Sequence, residues 1–281
     1  MERNTAKRTL EKLLSVCICL CMLGAMLPAQ VLAEEADTAQ TETVQDTAPK
    51  DTVHLSSADD LIQLAKNCRL DSWSQNRTVV LEADIDLSSV DFNGIPSFGG
   101  TWEGQNHAIT GLSLSQDGSV QGLFRYVQQG ALVRDMTVKG RIKPGGTRAS
   151  VGGIAGSNAG TIENCAFDGV VSGTSQIGGI AGVNTVKGSI NGCTVSGTVY
   201  GSHFVGGVVG QNDGVAANCT NAASVNTTVS QNEVKLNDLT LDNVLKTEKA
   251  NDVTDAGGIA GNNAGVLRAC INRGTIGYSH I

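Results

Sequence analysis

Four segments of this chain carry the same punctuation, and no other feature restricts its fold so tightly. They are Val151–Ala166 (VGGIAGSNAGTIENCA), Ile177–Thr194 (IGGIAGVNTVKGSINGCT), Val205–Thr220 (VGGVVGQNDGVAANCT) and Ala256–Ile271 (AGGIAGNNAGVLRACI). Their cysteines, Cys165, Cys193, Cys219 and Cys270, are spaced 28, 26 and 51 residues apart. The last gap is one repeat plus an insertion, placed at about 229–255. Self-similarity at such a period marks stacked supersecondary units.

Two degenerate units precede these. Val120–Thr137 aligns with Met136 at the cysteine position, and Gly104–Ser113 aligns with Leu112 there. One inward column is therefore expected to read Leu112, Met136, Cys165, Cys193, Cys219, Cys270. Six residues further on, the same frame gives Ile142, Val171, Val199, Val225 and Ile276, while the Leu112 unit offers only Gly118. β-Branched residues at one register are what the inner face of a strand favours. Helical periodicity is absent, and a Gly-Gly in every unit would destabilise a helix. With 35 glycines in 281 residues and no period of three, glycine must serve corners, through positive φ or close backbone approach.

One such unit cannot stand alone. Ordering its backbone costs about 1–2 kcal/mol per residue. Its half-dozen apolar side chains return about 1.5–3 kcal/mol each. Stacking at about 4.8 Å lets neighbours share main-chain hydrogen bonds and bury one another's faces. The expected fold is all-β, a right-handed parallel β-helix. Ser57, followed by Asp60 and by Leu61, Ile62, Leu64 and Ala65, predicts a short capping helix over about 58–67. Thr78–Leu87 reads as the first strand pair. Near the other end, Gly277–Ile281 lines up with Tyr200–Phe204, which precedes a Gly-Gly, so the sequence reads as truncated at its C-terminus.

The N-terminus reads as an export signal. Arg3, Lys7, Arg8 and Lys12 precede an apolar run over Leu13–Leu27, and Val31-Leu32-Ala33 suits cleavage after Ala33. Residues 34–54, rich in Thr, Ala, Asp and Glu, read as a flexible acidic linker. Removing residues 1–33 takes four basic and two acidic residues from the 20 and 27 of the whole chain, leaving 16 and 25, a net charge of −9. That balance disfavours nucleic acid and anionic membrane surfaces as partners. The organisation is then a signal peptide at 1–33, a linker at 34–54 and a β-helix at 55–281.

The repeat Gly-Gly-Ile-Ala-Gly-x-Asn-x-Gly-x-Ile-x-Asn-Cys resembles the GLUG-motif repeat of bacterial surface proteins. The lead-in is similar too: Ala83–Leu87, then Phe98–Leu112, then Gly122-Leu-Phe124. The resemblance spans about 55–281. It implies a pectate-lyase-like β-helix in secreted or wall-attached proteins, among them adhesin-like proteins and the non-catalytic front portion of immunoglobulin-A-cleaving metallopeptidases. It assigns no catalytic residue to the repeat.

Cys165, Cys193, Cys219 and Cys270 share their column with Leu112 and Met136, so buried free thiols are expected, with cross-rung disulfides left open by distance. Cys68 lies outside the repeats. His54, His107, His203 and His280 form no His-Glu-x-x-His. His203 and His280 occupy equivalent corners. Arg141 and Lys143 flank an inward Ile142 and should point to solvent. Asp84 and Asp86 share one strand face, where turn and edge solvation outweighs calcium binding or a paired-acid role. Asn158, Asn184, Asn212 and Asn262 recur at one register and should form an amide ladder. The insertion is a candidate recognition element.

The sequence thus predicts a secreted or surface-displayed, non-catalytic scaffold or adhesion module with no cofactor, metal or catalytic residue. Its expected partner is an extracellular protein or glycan, with membranes involved only through export or attachment. Two alternatives stand beside it: the N-terminal region of a secreted hydrolase, and a polysaccharide lyase.

Overall fold

The computed structural model describes residues 51–146, 148–227 and 255–277. The segment read as a signal peptide, nearly all of the segment read as a linker, and all of the insertion except Asp255 lie outside the described residues.

The fold is an all-β parallel β-helix. Every paired strand runs parallel to its neighbour, in four sheets of eight, four, six and eight strands. One rung shows the circuit. The chain passes through Ala149–Gly152, Ala155–Asn158, Thr161–Glu163 and Ala166–Ser172, each in a different sheet, before Ser175–Gly178 lies down on Ala149–Gly152. In this rung two residues separate each strand from the next, no strand pairs with another of its own rung, and every main-chain ladder runs between rungs.

Register is like on like. Ile162 lies on Ile190 and Val133, Val151 on Ile177, and Ala155 on Ala181. The column Ile142, Val171, Val199, Val225, Ile276 is continuous, and its first four members are fully buried. Near the first rungs the interior is aromatic: Phe98, Trp102 and Phe124 meet edge-on or tilted at 5.2 to 6.1 Å between ring centres. Further along, smaller residues replace them, as in the column Trp102, Val133, Ile162, Ile190, Ala216.

The expected columns need one correction. Leu112 is not in register with Met136. Ala108 pairs with Thr137 and Leu112 with Gly140, which puts His107 opposite Met136. A one-residue bulge between Ile109 and Leu112, with Gly111 at φ +70°, carries Leu112 inward at a later step. Beyond the bulge Leu114 pairs with Ile142, so Leu114, not Gly118, continues the aliphatic column. An inserted residue in one strand is a local event that a fixed spacing cannot anticipate.

The bend before each cysteine is real. Asn106, Asp135, Asn164, Gly192, Asn218 and Ala269 all have φ between +50° and +65°. Asn, Asp and Gly tolerate this left-handed conformation, and Ala269 does so at a cost. The Gly-Gly pairs have a different cause. Their φ is not left-handed; they are glycines because backbone closes on backbone. A Cβ on Gly179 would lie 2.3 Å from a Val195 methyl and 2.4 Å from the Gly207 carbonyl of the next rung. Gly153 would strike Phe167 and the Gly179 carbonyl in the same way.

Helix α1 (Ala58–Asn67) forms where expected. Ser57 accepts from the Asp60 N–H, and the Asp60 carboxylate in turn takes the Ser56 N–H and the Ser57 hydroxyl, holding its pKa below the ordinary range. Leu61 and Leu64 are buried. The acidic linker ends earlier than position 54, because Thr52–Leu55 pairs residue for residue with Thr78–Leu81 as the first strand of a sheet. Val53 and Leu55 supply the apolar alternation that makes this possible. Among the described residues no helix is long and apolar enough to cross a membrane.

Gly179→Ala should destabilise the fold by about 1–3 kcal/mol, since neither the facing carbonyl nor the packed valine has room to retreat. Val186→Ser, at a side chain 76% exposed, should stay within about 0.5 kcal/mol of the parent. Urea denaturation followed by far-ultraviolet circular dichroism measures both.

Candidate functional site

The cysteine column is inside. Cys165, Cys193 and Cys219 are buried, Cys270 is half-buried in the last described rung, and all four are free thiols, as is buried Cys68. Each of the four repeat thiols donates to main-chain carbonyls, as Cys165 does to Glu163 at 3.3 Å and Cys219 to Ala217 at 3.1 Å. Burial pushes the Cys165 thiol up to about 12 and Cys68 up to about 11. Cys193 is held high by its hydrogen bond to Cys219 and by burial. Cys219 is lowered by the hydrogen bond from Cys193, but it is fully buried, and thiolate chemistry needs access as well as a lowered pKa. These sulfurs are packing groups.

The amide ladder also forms, with one substitution in its membership. Asn158 donates to Asn184 at 2.8 Å, Asn184 to Asn212 at 2.8 Å and Asn212 to Asn263 at 2.7 Å. Asn263 takes the place expected of Asn262, which pairs with Gln211 instead. Adjacent strand residues face opposite ways, so only one of two consecutive asparagines can join an interior column. The first three side chains are fully buried. All donate in the same direction, and each amide also reaches a nearby carbonyl, such as Gly160 for Asn158 at 3.2 Å. Preceding rungs fill this column with Phe98 and Val127. A second amide pair, Asn221 to Asn272 at 2.8 Å, sits where earlier rungs have Phe167 and Val195. Sequence reasoning missed it because Asn221 lies in the irregular rung beside the insertion.

The remaining candidates are surface features. Asp84 accepts the Ala108 N–H at 2.8 Å and contacts the His107 ring at 3.1 Å. Asp86 accepts from the Ser88 N–H and hydroxyl at 2.9 Å. These hydrogen bonds lower both carboxyls and already occupy them in turns. Arg141 and Lys143 are exposed on either side of buried Ile142. His54 contacts Glu82 at 2.6 Å, and His203 stands at a corner above Ser175. Among the described residues no three His, Cys, Asp or Glu side chains are grouped to hold a metal.

A cleft of about 350 Å³ opens at the capped end, between the C-terminal half of α1, the segment before Ile95, and the strand Phe124–Val127. Three cations line it, Lys66, Arg69 and Arg125, against one acid, Asp91. Sequence reading passed over it because its walls come from four separated segments.

No family model matches the chain. A 128-residue stretch is 29% identical to halomucin of Haloquadratum walsbyi, covering 40% of this chain and 1% of halomucin. Among solved structures, one from Bacteroides ovatus, described as a candidate immunoglobulin A1 protease, aligns with a TM-score of 0.47 at 18% identity, over 81% of this chain and 79% of that one. Neither likeness carries an activity to this chain.

Asn184→Leu should destabilise by about 2–3 kcal/mol, because it strands the Asn158 amide and the Asn212 carbonyl in an apolar interior; equilibrium unfolding measures it. The thiols predict an alkaline limit as well. The folded pKa values of Cys165 and Cys68 lie above the unfolded value of 9.0, so at these two sites the folded state keeps protons that the unfolded state releases. Their stabilisation is complete below pH 9 and declines as pH rises toward 11 and 12. Cys165→Ala should flatten that decline in unfolding midpoints measured from pH 8 upward.

Proposed function

We propose that this chain is an exported, surface-displayed scaffold that presents its outer faces to extracellular partners and carries out no reaction of its own. The observation that supports this is the separation of inner from outer positions. In the six-stranded sheet the inward column runs Asn158, Asn184, Asn212, Asn263, while its outward neighbours are Ser157, Val183, Gln211 and Asn262, preceded by an exposed Tyr126. The interior repeats and the exterior varies. Such a chain can change its surface without changing its fold.

The export signal read over residues 1–33 and the likeness of the repeat to GLUG units fit the same reading. The halomucin match fits it as well, being confined to a small part of a much longer protein.

Antibodies against residues 51–277 should label intact producing cells or their medium, and deleting residues 1–33 should confine the antigen to lysates. Purified chain incubated with uronic-acid polymers or with immunoglobulin A should yield neither unsaturated sugars nor antibody fragments. Strictly intracellular antigen would defeat the display reading, and either product would replace it with an enzymatic one.

A further inference from the structure

The cleft at the capped end differs in kind from the rest of the surface. The chain as a whole is acidic, at a formal net charge of −7, yet Lys66, Arg69 and Arg125 converge here. None of the three makes an ion pair with a described residue; the ion pairs of the described residues use His54, Arg77, His107 and Arg134. Asp91 shares the cleft without pairing to any of them. The Arg125 Nε is moreover buried with no hydrogen-bond partner. That nitrogen is closed to solvent, so the donors of Arg125 that an anion in the cleft can meet are its terminal guanidinium nitrogens, and a carboxylate there would gain charge-assisted hydrogen bonds.

The other walls narrow the ligand class. Asn93 and Gln116 bring side-chain amides, which can both donate to and accept from hydroxyl groups. Phe92, Pro96 and Ile62 supply an apolar wall. The volume lies at the lower end of the roughly 300–1,000 Å³ of small-molecule sites. A bare inorganic anion would leave most of it empty and use neither the amides nor the apolar wall. A sugar ring with a carboxylate uses all three: the charge meets the cations, the hydroxyls meet the amides, and the C–H face meets the apolar side.

The site is built and not incidental. Gly94, at φ +79°, lets the segment before Ile95 close on the neighbouring strand, because a Cβ there would lie 2.8 Å from the Gly122 carbonyl. Arg125 thereby enters the wall beneath the segment, and α1 supplies Lys66 and Arg69 from above.

We propose that this cleft binds an acidic sugar, a uronic or sialic acid residue, with its carboxylate held by Arg125, Lys66 and Arg69. The inference is independent of the display reading: failure to bind sugar would leave the scaffold role intact, and intracellular antigen would leave the cleft's chemistry intact.

The test is calorimetric titration of the purified full chain with D-galacturonate and N-acetylneuraminate, with D-galactose and sulfate as comparisons. Both acidic sugars should bind in the millimolar range, with galactose and sulfate weaker by about tenfold or more. Lys66 and Arg69 are exposed, so K66Q/R69Q should keep its unfolding midpoint and lose affinity about tenfold. R125Q should lose at least as much, and R125K, lacking the forked donor, should not restore it. Four outcomes would overturn the proposal: no heat from either acidic sugar at about 10 mM, galactose binding as well as galacturonate, sulfate binding as tightly as the sugars, or unchanged affinity in K66Q/R69Q. Equal binding of both acidic sugars supports recognition of the shared carboxylate, and preference for one names the source.

Discussion

A rung of this chain cannot satisfy its own main chain. Its strands are separated by corners and never pair within the rung, so each peptide group that leaves water must find its partner in the rung above or below. The backbone bonds Ile154 N–H to Ile180 carbonyl and Ile180 N–H to Val208 carbonyl, both within 2.9 Å, are typical. Everything else follows from that dependence. Parallel stacking places the same position of each repeat over itself, so a residue must be compatible with its own kind as a neighbour. Aliphatics meet this condition by packing. Glycines meet it where backbones close on one another. Polar side chains meet it only if they carry both a donor and an acceptor.

This explains why asparagine is the polar residue that recurs in the core columns of the regular rungs, beside cysteine. An asparagine amide can give to the next rung and receive from the previous one, which no buried carboxylate or ammonium column could do without like charges facing each other. The ladder also fixes register, because a slip by one residue would bury the wrong side chain and strand each amide. The thiol column is more permissive. Methionine occupies it at 136, and the sulfurs bond weakly to carbonyls of their own and neighbouring rungs.

Chemistry differs where the repeat is interrupted. Along the regular rungs the surface carries cross-rung contacts such as Arg134 with Glu103 at 2.7 and 2.9 Å and Asn218 with Asn191 at 2.8 Å, which satisfy themselves. At the capped end, α1 and the segment before Ile95 have no equivalent in later rungs. There Lys66, Arg69 and Arg125 converge on a cleft of ligand size. A solenoid that holds its faces in self-satisfying register leaves its irregular parts free to specialise.

The sequence alone determined the unit, its strand content, the capping helix and the inward thiol and aliphatic columns, because a repeated pattern of Gly-Gly, Asn and Cys states its period directly and stacking makes period equivalent to position. It did not determine where the period slips. The bulge at Thr110–Gly111 that replaces Leu112 with His107 and Gly118 with Leu114, and the pairing of Thr52–Leu55 with Thr78–Leu81, are local events that only three-dimensional pairing decides; Asn263, by contrast, follows Ala256 by the same seven residues that separate Asn158 from Val151, so the repeat itself places it in the ladder. The cleft was beyond reach for a related reason. The pair Lys66 and Arg69 is far in sequence from Asp91, Gln116 and Arg125, and it is the coiling of the chain into rungs that brings these separated segments into one wall.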